Sequence, residues 1–234
     1  MSSAPGRRPA PRGLFVTGTD TGVGKTEVSC ALLAGARAAG LDLGAMKPAE
    51  SGVGPGEPSD SERLRAAAGG GDEAALVCPY RFAAPLAPAV AARLEGVEVR
   101  LEVILAAAGA LAARHAALLV EGAGGLLVPL TRRETYADLA VALGLPVLVV
   151  ARAGLGTVNH VALTVEALRA RRLPVAGVIL NRTGPGDDAS VPYNAAEIER
   201  LTGAPVLASL PWCADIAARA EILRSALSGK VQFS

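Results

Sequence analysis

A glycine-rich segment near the start of the chain has the residue types of a phosphate-binding loop. Residues 18–26 read Gly-Thr-Asp-Thr-Gly-Val-Gly-Lys-Thr and follow an apolar run at 14–16. Backbone N–H groups of such a turn can surround a phosphate, and the positive end of the following helix adds to the attraction. Lys25 would reach the terminal phosphates, and the Thr26 hydroxyl would face magnesium. The segment therefore predicts binding of a nucleoside triphosphate.

The spacing inside this loop departs from the usual pattern. The usual pattern has four residues between its first glycine and Gly-Lys-Thr, whereas Gly18 leaves five, and Thr19 occupies the standard glycine position. The departure indicates a particular branch of the nucleotide-binding superfamily.

Lys47 and Glu121 each close a short apolar run that is predicted to be a strand. Pro48 stops the first strand directly after Lys47, and the alternative for this lysine is an ordinary exposed strand end. Opposite a phosphate loop, Lys47 is interpreted as a second cation for an anionic reactant. Glu121 stands where the superfamily carries an acidic residue for magnesium. The alternative is a plain glycine turn, which does not explain the carboxylate.

Two further features could have either a chemical or a structural role. Three glycines in residues 122–125 would let a substrate approach the backbone closely. They do not fit a dinucleotide fingerprint, because residues 126–130 are predicted to be extended rather than helical. Asp60 is either a third magnesium partner or the cap of the helix that begins near Ser59, and spacing alone favours the cap.

Short apolar runs alternate with helical patterns along nearly the whole chain. This order predicts an α/β fold with a doubly wound, mostly parallel sheet and helices on both faces. Ligands of such sheets bind at the carboxyl ends of the strands. The expected domain covers residues 13–234 and follows a disordered tail at 1–12. The predicted strands are 14–17, 43–47, 117–121, 147–151, 175–180 and 206–210. The predicted helices are 26–39, 59–68, 99–114, 136–143, 158–171, 195–202 and 214–227.

Composition excludes several classes of function. The chain has 234 residues, a net charge of +1 and 3% aromatic residues, so neither a basic stripe nor a stacking surface for nucleic acid is expected. Cys30, Cys78 and Cys213 lack metal-ligand spacing, which favours reduced thiols. The longest apolar run, 139–151, is too short to span a membrane. We expect a cytoplasmic protein.

Taken together, the motifs resemble those of the dethiobiotin synthetases over about residues 13–212. The resemblance rests on segments 18–26, 47–52, 120–125, 155–160 and 210–212 in the same order. It implies a P-loop NTPase-like single domain that forms homodimers. The family reaction uses ATP and Mg²⁺ to close a cyclic urea on 7,8-diaminononanoate with CO₂, through a carbamate and a carbamic-phosphoric anhydride, in biotin biosynthesis.

The resemblance also implies roles for particular residues of this chain. Lys25, Lys47 and Thr21 would act on the reacting groups, and no nucleophilic side chain is required. The implied ATP-binding residues are Asp20, Thr21, Gly22, Val23, Gly24, Lys25, Thr26, Asn181, which would read the purine, and Pro211. The implied magnesium ligands are Thr26, Asp60 and Glu121. The implied substrate-binding residues are Lys47, Ser51, Gly122, Ala123, Gly124, Gly125, Gly156, Thr157 and Asn159.

The segment around Gly156 is expected to bind the distal carboxylate of the substrate across a dimer interface. It precedes a predicted helix, and a helix start with free N–H groups attracts anions. Thr157 and Asn159 would be the side-chain donors, although an ordinary cap by Thr157 is the alternative.

The main alternative function is a nucleotide-dependent switch ATPase of the partitioning or metal-insertion type. Such proteins usually carry a second lysine within the loop, and residues 18–24 contain none. A synthetase domain of the cobyric-acid amidotransferase type is less favoured, because the sequence contains no glutaminase half.

Overall fold

A computed structural model describes residues 12–56, 58–212 and 215–227. Apart from Arg12, the predicted tail at 1–12 lies outside these residues, and so does Cys213. The strands are β1 Gly13–Gly18, β2 Leu43–Met46, β3 Ala49–Ser51, β4 Tyr80–Phe82, β5 Ala117–Gly125, β6 Val147–Arg152, β7 Val175–Asn181 and β8 Val206–Leu210. The helices are α1 Lys25–Ala38, α2 Asp60–Ala67, α3 Ala74–Val77, α4 Pro88–Leu94, α5 Leu101–Ala112, α6 Tyr136–Leu143, α7 Thr157–Ala170, α8 Val191–Thr202 and α9 Ile216–Leu227.

Six of the strands form one parallel sheet in the order β2-β5-β1-β6-β7-β8. The chain moves from β1 to one side of the sheet and later returns to the other side at β6. The predicted doubly wound α/β fold is therefore confirmed. The strand order reverses around β1, so a crevice is expected where the carboxyl ends of β1 and β5 meet.

Alternate residues of the strands face two separate hydrophobic cores. Phe15 and Val120 point into a core that is completed by α4 to α8, whereas Val16 and Leu119 point into a core formed with α1, α2 and α9. Since each strand is covered on both faces, it has an unbroken apolar sequence, which is why the six sheet strands could be recognised.

The sequence did not predict four short elements. The strands β3 and β4 pair in parallel as a separate ribbon, and α3 and α4 lie on either side of β4. The prediction that residues 126–130 are extended is wrong. Gly124 has a φ of 63°, β5 ends at Gly125 and residues 126–127 form a turn, so that within 126–130 only Pro129 forms a bridge, with Thr135. In the described parts of the chain, no helix has both the length and the apolar character needed to cross a bilayer.

Candidate active site

The glycine-rich loop lies between β1 and α1, as predicted. Gly24 is the N-cap of α1 with a φ of 87°, a left-handed conformation that favours glycine. A Cβ on Gly18 would lie 2.7 Å from the carbonyl oxygen of Asp20, so a side chain there would collide with the loop. The Lys25 ammonium donates a hydrogen bond to that same carbonyl at 3.2 Å. The loop is thus closely folded around the side chain of Lys25.

Lys47 is buried directly after β2 and is held by two carboxylates. Its Nζ lies 2.6 Å from Glu121 Oε1 and 2.9 Å from Asp60 Oδ2, and the side chain is 3% exposed. Burial alone would lower the pKa of Lys47, but the charges of Glu121 and Asp60 outweigh it and raise the pKa. The predicted strand-end lysine therefore faces the loop as a permanent cation, and the interpretation as an exposed strand end is wrong.

Burial and the neighbouring Lys47 lower the pKa of Lys25 to about 8. Two ammonium groups thus share one site, and this arrangement suits a ligand with several negative charges. For Asp60, burial raises the pKa, but the Lys47 ammonium outweighs this effect and lowers it below its ordinary value.

Glu121 connects the second cation to the loop. It lies inside β5 and not at its end, because the strand continues to Gly125, which pairs with Gly18 after a register shift. Glu121 Oε1 accepts hydrogen bonds from the Thr26 hydroxyl at 2.8 Å and from Lys47. Glu121 Oε2 is buried and has no hydrogen-bond partner among the described residues. A buried carboxylate oxygen without a partner is costly unless a ligand satisfies it.

The donors around Glu121 fit a magnesium ion. The Thr26 hydroxyl and the carboxylates of Asp60 and Glu121 are hard oxygen ligands, and Lys47 bridges the two carboxylates. Mg²⁺ usually takes one or two carboxylates and completes its shell with water and substrate phosphates. Among the described residues, no group of three or more His, Cys, Asp and Glu side chains is arranged so that it could hold a metal ion by itself.

The helix-cap interpretation of Asp60 is wrong. Ser59 is the N-cap of α2, and it forms a capping box with Glu62. Asp60 is the first residue inside the helix, and its side chain turns toward Lys47. The prediction differs from the structure by a single residue, but this difference redirects the carboxylate into the site.

A cavity of about 660 Å³ opens beside these groups, a size suited to small molecules. Ten of the predicted site residues line it: Thr21, Gly22, Gly24, Lys25, Thr26, Lys47, Ser51, Asp60, Ala123 and Gly124. Another cavity of about 800 Å³ lies between α4, α5 and residues 131–134, and none of the predicted site residues lines it.

The remaining predicted site residues lie outside the lining of the first cavity. These are Asp20, Val23, Glu121, Gly122, Gly125, Gly156, Thr157, Asn159, Asn181 and Pro211. Asp20 Oδ1 accepts a hydrogen bond from the Thr21 backbone, and Gly122 contributes its carbonyl oxygen 3.5 Å from Lys47. Pro211 is exposed just after β8.

The start of α7 differs from the expectation for Thr157. Gly156 is the N-cap, so the alternative of a cap by Thr157 is wrong. The Thr157 hydroxyl is buried without a hydrogen-bond partner in the described chain, whereas Asn159 is exposed. Of the two predicted side-chain donors, Asn159 is therefore the accessible one.

Sequence reasoning missed Glu50, which also lines the cavity. The Glu50 side chain is buried, and its oxygens accept from the Ser61 hydroxyl at 2.6 Å and from the Ser61 backbone N–H at 3.3 Å. Glu50 thereby fixes the first turn of α2, which carries Asp60. The only available signal was a charged residue shortly after Lys47, separated from it by Pro48 and Ala49, and neither spacing nor periodicity gave it a role.

Comparisons with known proteins show the family to which the chain is related. A family model described as an AAA domain matches residues 12–220. The ATP-dependent dethiobiotin synthetase BioD of Anaeromyxobacter dehalogenans strain 2CP-C is 72% identical over 95% of this chain and 100% of its own length. The protein of the same name from Bacillus subtilis strain 168 is 40% identical over 88% of this chain and 89% of its own.

Solved structures of lower similarity share the fold. A chain of a MinC:MinD cell division protein complex from Aquifex aeolicus matches with a TM-score of 0.55 at 14% identity, covering 94% of this chain and 93% of its own length. A ParA family ATPase from Chlorobium tepidum TLS matches with a TM-score of 0.51 at 14% identity and the same two coverages. At this identity the likeness extends to architecture alone, whereas the curated relatives match nearly the whole sequence. The chain belongs to the dethiobiotin synthetase family.

Proposed function

We propose that this protein is an ATP-dependent dethiobiotin synthetase that closes a cyclic urea on 7,8-diaminononanoate with CO₂. The observation that carries the proposal is the contact of Lys47 with Glu121 and Asp60 beside Lys25 and Thr26 of the loop. In a nucleotide switch of the partitioning type the second lysine usually lies within the loop, whereas here the second ammonium comes from Lys47, directly after β2. A switch function is not favoured, because the ParA and MinC:MinD structures share only their fold with this chain.

The chemistry proceeds in three steps. One amine of the substrate adds to CO₂ and loses a proton, which gives a carbamate. A carbamate oxygen then attacks the γ-phosphorus of ATP, the bond to ADP breaks, and a carbamic-phosphoric anhydride forms. The second amine attacks the carbonyl carbon, inorganic phosphate leaves with the bonding electrons, and the ring nitrogen loses its proton. Positioning and charge neutralisation are the main tasks for the protein in such a phosphoryl transfer.

The residues of the cavity divide these tasks. Lys25 binds the transferring phosphoryl group. Lys47 binds the carbamate and stabilises the negative charge on its oxygen before that oxygen attacks the γ-phosphorus. Thr21 and Ser51 lie near the reacting groups, and the backbone at 122–125 contacts the substrate, since Gly124 leaves room there. Thr26, Asp60 and Glu121 hold Mg²⁺, which neutralises charge on the triphosphate when bound.

The proposal is tested by measuring ADP and dethiobiotin formation with each reactant omitted in turn. Release of ADP should require both the diamine and bicarbonate. Lys25→Ala should reduce turnover by about a thousandfold, because it removes a cation from the transferring phosphoryl group. ADP release that ignores the diamine, or a Lys25→Ala variant with more than a tenth of the wild-type rate, would contradict the assignment.

We further propose a homodimer, located in the cytoplasm, in which the start of α7 completes the partner's site. Support comes from the exposed Asn159 and from Leu155, which is 82% exposed directly before the helix. The carboxylate at the far end of the substrate needs an anion site remote from the phosphate loop, and exposed N–H groups at a helix start can supply one.

Asn159→Ala should raise KM for the diamine and leave ATP binding nearly unchanged. Mixing this variant with inactive Lys25→Ala protein should restore activity, because one site of each mixed dimer then contains every wild-type group. A monomer at assay concentration, or no recovery after subunit exchange has been verified, would contradict the shared site.

A further inference from the structure

The turn before α7 is connected to the segment before α8 by the carboxylate of Asp188. Asp188 Oδ2 accepts a hydrogen bond from the Leu155 N–H at 2.8 Å. Asp188 Oδ1 accepts from the Ser190 hydroxyl at 2.6 Å and from the Ser190 N–H at 2.9 Å. Ser190 is the N-cap of α8, so one side chain contacts the starts of two helices.

Gly154 permits this close approach of the carboxylate. A Cβ on Gly154 would lie 2.9 Å from Asp188 Oδ2, so a larger residue would displace either the carboxylate or the turn. The Gly154 carbonyl oxygen accepts hydrogen bonds from the Thr157 N–H at 3.2 Å and from Asn194 Nδ2 at 3.3 Å. The peptide unit between Gly154 and Leu155 is therefore held at its carbonyl oxygen and at its N–H.

Asn194 links the two attachments into one network. Its side chain is 5% exposed, and its Nδ2 also donates to the Ser190 hydroxyl oxygen at 3.1 Å. The hydrogen bonds from the Ser190 hydroxyl and from the Leu155 N–H hold the pKa of Asp188 below its ordinary value. Asp188 is therefore ionised at neutral pH and is a strong acceptor for the Leu155 N–H.

The turn at 154–156 sets the direction in which α7 begins. Gly156 is the N-cap of α7 with a φ of 90°, and the His160 N–H donates to its carbonyl oxygen at 3.3 Å. The N–H groups of the first turn have no partner inside a helix and point outward along its axis. Because Asp188 holds the peptide directly before Gly156, it also fixes where these N–H groups point.

We propose that Asp188 is a positioning residue for the distal carboxylate of the substrate: it fixes the turn at 154–156 and thereby directs the first N–H groups of α7 and the side chain of Asn159 toward that carboxylate. Asp188 itself does not touch the substrate. The inference rests on the proposed function, in which the start of α7 binds this end of the diamine. It adds a residue from the connection between β7 and α8, to which neither a motif nor the family resemblance gives a role.

Two other roles of Asp188 lead to different expectations. If Asp188 only stabilised the start of α8, its bonds to Ser190 would matter and its bond to Leu155 would not. If the negative charge of Asp188 competed with the substrate carboxylate for N–H groups, its removal would strengthen substrate binding. The Michaelis constants of charged and uncharged substrates therefore distinguish the three roles.

The test compares the diamine as the free acid with its methyl ester, which has the same carbon chain without the distal negative charge. Asp188→Ala should raise KM for the acid by about tenfold, the loss expected when one hydrogen bond to a charged group is no longer aligned. The kcat value and the affinity for ATP should change little. KM for the ester should hardly change, because the ester makes little use of an anion site.

Two results of this comparison would overturn the proposal. An equal rise of KM for the acid and the ester would show that Asp188 contributes only to the general stability of the region. A lower KM for the acid would show that Asp188 competes with the substrate carboxylate.

Matched variants complete the test. Asp187→Ala removes a neighbouring carboxylate that is fully exposed and approaches Arg182 at 4.0 Å, and it should leave both KM values unchanged. Asp188→Asn keeps one accepting oxygen and should recover part of the affinity for the acid. If Asp188→Ala does not fold, Asp188→Asn carries the same comparison of acid and ester.

Failure of the proposed function would be visible in the wild-type protein, which would then form no dethiobiotin from the acid. If the wild type forms dethiobiotin and Asp188→Ala keeps the wild-type ratio of the two KM values, only the positioning role of Asp188 is refuted.

Discussion

At the scale of single residues, Lys47 is the side chain whose environment differs most from that of an ordinary lysine. It is almost fully buried, and its charge is balanced by two carboxylates rather than by water. A buried ammonium of this kind is costly to maintain unless it is paired, and removal of one partner leaves an uncompensated charge. Such an arrangement is more readily explained by a reaction than by stability.

Lys47→Ala should reduce kcat/KM for the diamine by about a hundredfold or more, because a fixed cation is lost from the developing anion. Nucleotide affinity should change far less, since Lys25 and the loop remain intact. Isothermal titration with ATP beside steady-state kinetics measures both quantities. Lys25→Ala is the matched comparison and should show the larger loss in nucleotide binding. Equal loss of both quantities in Lys47→Ala would mean that Lys47 is a phosphate ligand.

At the scale of elements, the start of α2 combines two functions in neighbouring residues. Ser59 and Glu62 cap the helix, while Asp60 between them faces Lys47. Glu50 fixes the same turn from the other side through Ser61. The turn is therefore built so that the helix can be capped without using the carboxylate that the site needs.

Glu50→Gln and Asp60→Asn should both raise the magnesium concentration needed for half-maximal activity, the first by loosening the turn and the second by removing a ligand charge. Glu50→Gln should also destabilise the fold by about 1 kcal/mol, because it weakens a hydrogen bond to a buried carboxylate. Magnesium titration of ADP release and thermal melting are the two measurements.

The control for both variants is Glu62→Gln. It keeps the oxygen that accepts from the Ser59 N–H in the capping box but removes the charge that pairs with Arg81, so it should leave the magnesium requirement unchanged. If Glu62→Gln and Asp60→Asn behave alike, Asp60 contributes to the helix and not to the metal site.

The boundary between what the sequence predicts and what it does not follows from how local each signal is. The six sheet strands carry continuous apolar runs, so their existence and order could be predicted. The strands β3 and β4 have three residues each, which is too short a run for an alternation of apolar and polar residues to be recognised. The helix α4 begins at Pro88 without a side-chain cap, so its start has no polar signal.

Some residues of the candidate site could likewise be predicted from the sequence, and others could not. Lys25 could be placed by the glycine-rich motif. Lys47 and Glu121 could be placed because the carboxyl ends of parallel strands meet at one edge of the sheet, although β5 continues past Glu121 to Gly125. The direction of Asp60 could not be predicted, since it depends on whether Ser59 or Asp60 caps α2. The contact of Arg219 with Asn181 joins residues 38 positions apart along the chain, and no local pattern in the sequence predicts it.

At the scale of the whole molecule, an ion-pair cluster lies at the amino ends of β2 and β5, on the edge opposite the active site. His115 Nδ1 lies 2.6 Å from Asp42 and Nε2 lies 2.8 Å from Asp72, while Arg114 approaches Asp72 at 3.6 Å. Burial alone would lower the pKa of His115, but the hydrogen bonds to both carboxylates outweigh it and raise the pKa. The hydrogen bond from His115 holds the pKa of Asp42 below its usual range.

These two pKa directions predict how stability depends on pH. The His115 contribution is fully present below the pKa of about 6.5 for an unfolded histidine and is lost as the pH rises through the higher folded value. The Asp42 contribution is present above about 3.9 and is lost as the pH falls through its lowered folded value. The cluster should therefore stabilise the fold most strongly between these limits.

Melting curves of the wild type and of His115→Gln between pH 5 and pH 9 test this expectation. The melting temperature of the wild type should exceed that of the variant at pH 6, and the gap should narrow toward pH 9. The control is His160→Gln, which removes an exposed histidine outside the cluster and should lower the melting temperature at pH 6 less than His115→Gln does. A gap that is independent of pH would show that His115 contributes only its packing.

The salt bridges of Lys47 imply that the ligands of this site must bind in a linked manner. The Lys47 ammonium contacts Asp60 and Glu121, the two carboxylates proposed to hold the metal ion. A carbamate that drew Lys47 toward itself would free the two carboxylates for the metal, and a metal ion on the carboxylates would free Lys47 for the carbamate. Because such coupling is reciprocal, the metal should raise the affinity for the carbamate by the same factor as the carbamate raises that for the metal. With an incomplete set of ligands, the charges of Lys47, Asp60 and Glu121 would remain paired with one another and the site would be unreactive. ATP would then not be hydrolysed before its partner substrate is bound.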